Sequence, residues 1–178
     1  MVGFLVIQYI LFRSDHKINK MIKNNVTRLL SSRKIPFTTF ELPEVKMGAQ
    51  ETAEYLEIPL QIVYKTIVIK TTNKKKNILA IIPGNQVADL KAIASFCNEK
   101  KVFLATQNEA ETITHLKTGG ISPLALLNKG FLIILDKSAT KYETIHISGG
   151  QIGLNIRLPV KSLINITKAK IGNVAKKD

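Results

Sequence analysis

The sequence predicts an α+β fold. Stretches with the alternation of strands and stretches with helical spacing are interleaved along the chain without a regular strand–helix–strand repeat, which argues against a doubly wound parallel sheet. At 178 residues and 45% hydrophobic content the chain can build one domain around a sizeable core. No internal repeat, long linker or low-complexity segment marks a second one.

The elements follow from local signals. Asn24 or Asn25 caps a helix that carries Val26, Leu29 and Leu30 and ends before Pro36. Phe37 to Leu42 reads as a strand, and Glu51 to Glu57 as a helix stopped near Pro59. Ile62 to Thr71 and Ile78 to Pro83 form two strands around Thr72-Asn73-Lys74-Lys75-Lys76-Asn77, a hairpin whose basic tip suits a solvated turn or a phosphate contact. Asp89 to Asn98 is helical, Val102 to Ala105 a strand, and Glu109 to Leu116 a helix leading into a glycine loop. Strands near Phe131 to Leu135, Thr144 to Ile147 and Leu154 to Leu158 come next, and Pro159 opens a helix continuing toward a basic tail, Lys168 to Lys177.

Composition narrows the function. The formal charge of +13, from 26 basic and 13 acidic residues, favours a polyanionic partner, nucleic acid first and an anionic membrane surface second. Lysine and asparagine are abundant throughout, so part of the excess is compositional. The single cysteine, Cys97, excludes an internal disulfide and a cysteine-based zinc site, and fits a reducing cytoplasm. Leu90, Ile93, Ala94 and Cys97 share one helix face, which makes Cys97 a buried small hydrophobe rather than a nucleophile. His16, His115 and His146 lack metal-ligand spacing and read as surface or turn residues, so neither a metal nor another cofactor is expected.

Val2 to Phe12 is an apolar run shorter than the about 20 residues of a spanning helix. It lacks a preceding basic residue and a small-residue cleavage site, as a signal peptide would need. The expectation is that residues 1–20 are an upstream-translated extension, that Met21 is the natural initiator, and that 21–178 is the domain; a short membrane-associating anchor is the alternative.

Three short motifs carry the chemistry. In Gly119-Gly120-Ile121-Ser122-Pro123 the glycines permit close backbone approach and the proline fixes the loop exit, so peptide N–H groups can be aimed at a ligand oxygen; a tight turn before a strand is the plainer reading. In Val63-Tyr64-Lys65-Thr66 the alternation sets Lys65 on the face of Val63, Ile67 and Ile69, where an ammonium needs an anion, a polar cavity or a path to water. Ser148-Gly149-Gly150 ends a strand in a turn. No Ser-His-Asp or Cys-His arrangement can be assembled, so catalysis would depend on positioning and electrostatics.

V-Y-K-T before an apolar strand, then P-G-N-Q-V-A-D-L-K-A-I-A, G-G-I-S-P-L and T-I-H-I-S-G-G-Q-I-G-L, in that order, resemble the YbaK/EbsC family of aminoacyl-tRNA deacylases from Met21 to the C-terminus. Lys65 and the G-x-x-x-P loop are similar to signatures of the wider prolyl-tRNA synthetase editing-domain superfamily. The resemblance implies a mixed, barrel-like sheet flanked by helices. It also implies trans-editing hydrolysis of mischarged aminoacyl-tRNA, chiefly cysteinyl-tRNA(Pro), in which the substrate thiol attacks its own ester. Gly119, Gly120, Ile121, Ser122 and Pro123 would hold the ester oxygen, and Lys65 a phosphate, hydroxyl or developing negative charge. Ser148, with Gly149 and Gly150, would hydrogen-bond the substrate. The expected partners are aminoacyl-tRNA and prolyl-tRNA synthetase, with no membrane.

Three positions depart from the family's best-known branch. Phe40 stands where an aromatic hydroxyl is expected, Met47 where a phenylalanine is expected, and Asn155 where an aspartate would hold the substrate's amino group. Alanine, serine or another small amino acid could therefore replace cysteine. The competing expectations are a non-catalytic module that binds aminoacyl-tRNA or a synthetase, and a general RNA-binding protein.

Overall fold

The computed structural model describes residues 22–72 and 76–178. The extension at residues 1–20 and the tip residues Asn73, Lys74 and Lys75 lie outside the described residues.

The side chain of Asn24 accepts from the Thr27 N–H and starts α1, Asn25–Ser32, whose Val26 and Leu30 are buried. Strand β1, Thr38–Glu41, leads to α2, Ala49–Leu56, which begins two residues before the predicted start because Glu51 accepts from the Gly48 N–H. Strands β2, Tyr64–Thr71, and β3, Ile78–Pro83, pair antiparallel as predicted. All six residues of β3 are buried, and they alternate between two cores: Leu79 and Ile81 face the larger one, Ile78, Ala80 and Ile82 the smaller. After β4, Val87–Ala88, Asp89 caps α3, Leu90–Phe96, through the Lys91 and Ala92 N–H groups. Cys97 ends that helix half-buried against the smaller core, where burial pushes its thiol pKa up.

Strand β5, Val102–Leu104, and α4, Gln107–Thr114, precede the glycine loop. Strands β6, Leu132–Asp136, β7, Thr144–Ser148, and β8, Leu154–Pro159, lead to α5, Val160–Thr167. Pro159 is the N-cap of α5 rather than its first residue. The helix does not run into the basic tail. Lys168 turns into the left-handed region at φ 52, and the tail becomes β9, Lys170–Gly172, parallel to β6, and β10, Ala175–Lys176, antiparallel to β4. Asp136 fixes this return by accepting from the Val174 and Ala175 N–H groups at 2.9 and 3.0 Å.

The α+β class holds. The β-structure divides into a five-stranded mixed sheet ordered β5-β2-β3-β6-β9, a three-stranded antiparallel sheet β1-β8-β7 and the pair β10-β4. Among the described residues it does not close into a barrel: β5 and β9 end the large sheet, and a bridge between Val63 and His146 joins it to the three-stranded one. Ile145, Ile147, Leu154, Ile156 and Leu158 of the small sheet pack in the larger core with Leu30 and Leu163. Truncating any of these to alanine costs roughly 2–5 kcal/mol. No helix among the described residues is long and apolar enough to cross a membrane.

Candidate active site

Where the two sheets meet, a cavity of about 210 Å³ opens, room for several waters or a small aminoacyl group. Its walls come from the 42–49 loop, the start of β2, the glycine loop, the end of β7 and the start of β8. The register pairs Ser148 with Asn155, so these two line it side by side.

Lys65 lies on the β2 face shared with Ile67 and Ile69, as its alternation predicts, and lines the cavity half-buried. Its Nζ donates to the Gly84 carbonyl at 3.2 Å, which leaves further N–H donors for a ligand. Burial lowers its pKa, and the Asp178 carboxylate opposes that shift.

The glycine loop is anchored from α4. Glu111 accepts from the Thr118 N–H and from Lys117 Nζ, both at 3.0 Å, and the first of these contacts is the leading cause that holds its carboxyl at about 2. Gly119 has φ +95, a conformation that favours glycine. A Cβ on Gly120 would lie 2.8–2.9 Å from backbone atoms of Gln151 and Ile152, so only glycine lets the loop seat against the 149–153 turn. The Gly120 N–H is engaged by the Lys117 carbonyl at 2.8 Å. The loop residues that line the cavity are Gly119 and Ile121. Ser122 is fully buried, accepts from the Leu124 N–H at 3.3 Å, and with Pro123 shapes the loop from behind.

Ser148 Oγ donates to the Gly119 carbonyl at 3.5 Å and accepts from the Gly150 N–H at 3.4 Å, two long contacts without a base. Gly149 and Gly150 form the turn behind it, with the Gly149 N–H bonded to the Leu154 carbonyl. Met47 lines the cavity; Phe40 does not, and stands one strand away opposite Asn155 with its ring 5.1 Å from that of His146.

His146 is a correction to the sequence reading. It is 2% exposed, its Nδ1 is 2.9 Å from Asn155 Oδ1, and burial, reinforced by Arg157, pulls its pKa down to about 4. His115, by contrast, is the exposed left-handed residue that ends α4. Sequence reasoning also passed over Thr66 and Thr118, whose hydroxyls are buried without a partner in residues that line the cavity. Their adjacency to Lys65 and Gly119 was the available signal. Tyr64 lines it too, its hydroxyl 2.9 Å from Ser138 Oγ and its pKa pushed up to about 12 by burial.

Taken as chemistry, the cavity offers two lysine ammonium groups, Lys46 and Lys65, with backbone, hydroxyls and an amide. Among its described lining residues there is no cysteine, histidine or carboxylate. Such a site can hold and polarise an ester oxygen.

Comparison with known proteins fits this chemistry: the profile of the aminoacyl-tRNA editing domain matches residues 43–166, which include every residue of the cavity lining but Leu42. The chain belongs to the aminoacyl-tRNA editing domain family. Editing by such a domain is hydrolysis of the aminoacyl ester, which makes the chain an aminoacyl-tRNA deacylase with aminoacyl-tRNA as its substrate. It is 31% identical over 158 residues, 88% of this chain and 95% of the relative, to a candidate Cys-tRNA(Pro)/Cys-tRNA(Cys) deacylase, EbsC, of Enterococcus faecalis strain V583. Among solved structures, the hypothetical protein APE2540 superposes with TM-score 0.79 at 19% identity, over 86% of this chain and all of that one. A candidate trans-editing enzyme for prolyl-tRNA synthetase superposes with TM-score 0.73 at 21% identity, over 87% of this chain and 99% of that one. At these identities the two structures establish the editing-domain fold.

Proposed function

We propose that this editing domain acts in trans, beside prolyl-tRNA synthetase in the cytoplasm, and removes cysteine from mischarged tRNA(Pro). The observation that carries the mechanism is a cavity with hydrogen-bond donors and lysine ammonium groups but no cysteine, histidine or carboxylate among its described lining residues. The relative named for cysteinyl-tRNA supplies the substrate class. In this reading the peptide N–H groups of Gly119 and Ile121 hold the ester carbonyl oxygen, and Lys65 offsets charge at that oxygen or the neighbouring ribose. The cysteine sulfur attacks its own ester carbon, and the C–O bond to the ribose breaks. The ribose oxygen takes the proton left by the thiol, and water opens the resulting cyclic thioester to free cysteine. Ser148 orients the substrate, since its hydroxyl has no base to activate it.

A deacylase for alanine or serine is the second reading. The neutral Asn155 and the flexible Met47 in the wall favour it, because they remove a charge and a rigid ring from the subsite. Cysteinyl- and S-methylcysteinyl-tRNA(Pro) separate the mechanisms. Thiol attack predicts rapid release from the first and near-background release from the second. Equal rates would assign the attack to water and reject the substrate-assisted route.

A further inference from the structure

A buried histidine bonded to a buried asparagine beside a binding cavity needs a physical reason. His146 and Asn155 are 2% and 4% exposed. Cross-strand register pairs Asn155 with Ser148 and His146 with Arg157, so the contact is diagonal and shares the face of Ser148. Phe40 packs beside the imidazole, and the Arg157 guanidinium sits 5.7 Å from the Phe40 ring. A neutral imidazole carries one N–H, and with Oδ1 of Asn155 facing Nδ1 at 2.9 Å that proton belongs on Nδ1. Asn155 also lines the cavity, so the group it has left for a ligand is its NH₂.

We propose that His146 is a positioning residue: by donating Nδ1–H to the Asn155 oxygen it turns the Asn155 NH₂ toward the cavity, so that the pocket holds a hydrogen-bond-accepting group of the aminoacyl end, such as a neutral α-amine or carbonyl oxygen, and not an ammonium. This rests on the editing reading of the cavity given above. The rest of the wall agrees, since an ammonium would meet Lys65 and no carboxylate among the described lining residues. The same arrangement determines what Asn155→Asp does. The new carboxylate lies against the imidazole, raises its pKa and pairs with it, so the charge is engaged by the protein before a substrate arrives.

The test begins on the native protein with ¹⁵N-labelled histidine. A proton on Nδ1 of His146 is expected, and a proton on Nε2 with a bare Nδ1 overturns the proposal without any variant. Binding of an amide-linked cysteinyl aminoadenosine is then measured by calorimetry. His146→Phe keeps a ring against Phe40 but frees the amide to turn, and should weaken binding about five- to tenfold. Asn155→Asp alone should not tighten binding, whereas adding His146→Phe to it should tighten binding at least about fivefold over Asn155→Asp. Equal affinities for the single and double variants would overturn the proposal. If the native protein shows the Nδ1 proton but does not bind the analogue, the editing reading of the cavity fails instead, and the ligand assignment falls with it.

Discussion

Replacing Gly120 with alanine tests how the glycine loop is seated. The added Cβ would stand 2.8 Å from the Gln151 carbonyl carbon and 2.9 Å from Gln151 Cα and Ile152 N, all backbone atoms that cannot rotate away. Relief to the 3.4 Å of ordinary contact needs the loop or the 149–153 turn to move by about 0.6 Å. Gly119 and Ile121 flank the site of that movement, so the peptide N–H groups proposed to hold the ester oxygen move with it. A 1 Å misplacement of a positioning group costs about 10²-fold in rate, so the expected loss in kcat/KM is about ten- to a hundredfold. Overpacking of this kind destabilises by about 1–3 kcal/mol, which a chain of this size shows as a fall of some degrees in Tm. Single-turnover deacylation beside thermal melts reads both. A variant with wild-type rate and wild-type Tm would show that the loop does not pack on that turn, and the oxyanion role argued for it would fail.

Three more outcomes follow from the site and the sequence. Lys65→Ala should lower kcat/KM about 10²–10³-fold, since Lys65 faces the cavity, while Tm changes by no more than about 4 °C for the loss of one bond to Gly84; a melt that collapses with activity would make Lys65 structural. The Glu111 carboxyl sits at about 2 in the fold against an ordinary 4.5, so its tether to the loop is complete above about pH 4.5 and is lost as pH falls toward 2. The protection factor of the Thr118 amide, its exchange rate taken against the intrinsic rate at the same pH, should fall as pH drops across that window, and Glu111→Gln should remove the dependence. A protein starting at Met21 should match the full chain in deacylation and sedimentation, and a misfolded or inactive product would make residues 1–20 part of the domain.

Much of the scaffold was legible because its signals are local. Asn24, Asp89 and the apolar runs of β2 and β3 announce their elements through capping and alternation. Strands β4, β9 and β10 were not legible. They have two or three residues each, and long-range bonds such as those from Val174 and Ala175 to Asp136 hold them in place. The Lys65 face could be read from alternation alone, whereas the burial of His146 could not. Thr144-Ile145-His146-Ile147-Ser148 puts His146 opposite the isoleucines, on a face whose cover appears when β8 brings Asn155 and β1 brings Phe40. Phe40 shows the reverse: a position expected in the pocket wall stands one strand away, because it pairs with Asn155 rather than reaching past it.

Release of amino acid from tRNA(Pro) charged separately with proline, cysteine, alanine and serine tests the central claim most directly, with wild-type protein and Lys65→Ala in parallel. The account predicts fast release of cysteine, retention of proline, and loss of release in the variant. Release of no amino acid, or release of proline as fast as cysteine, would contradict it.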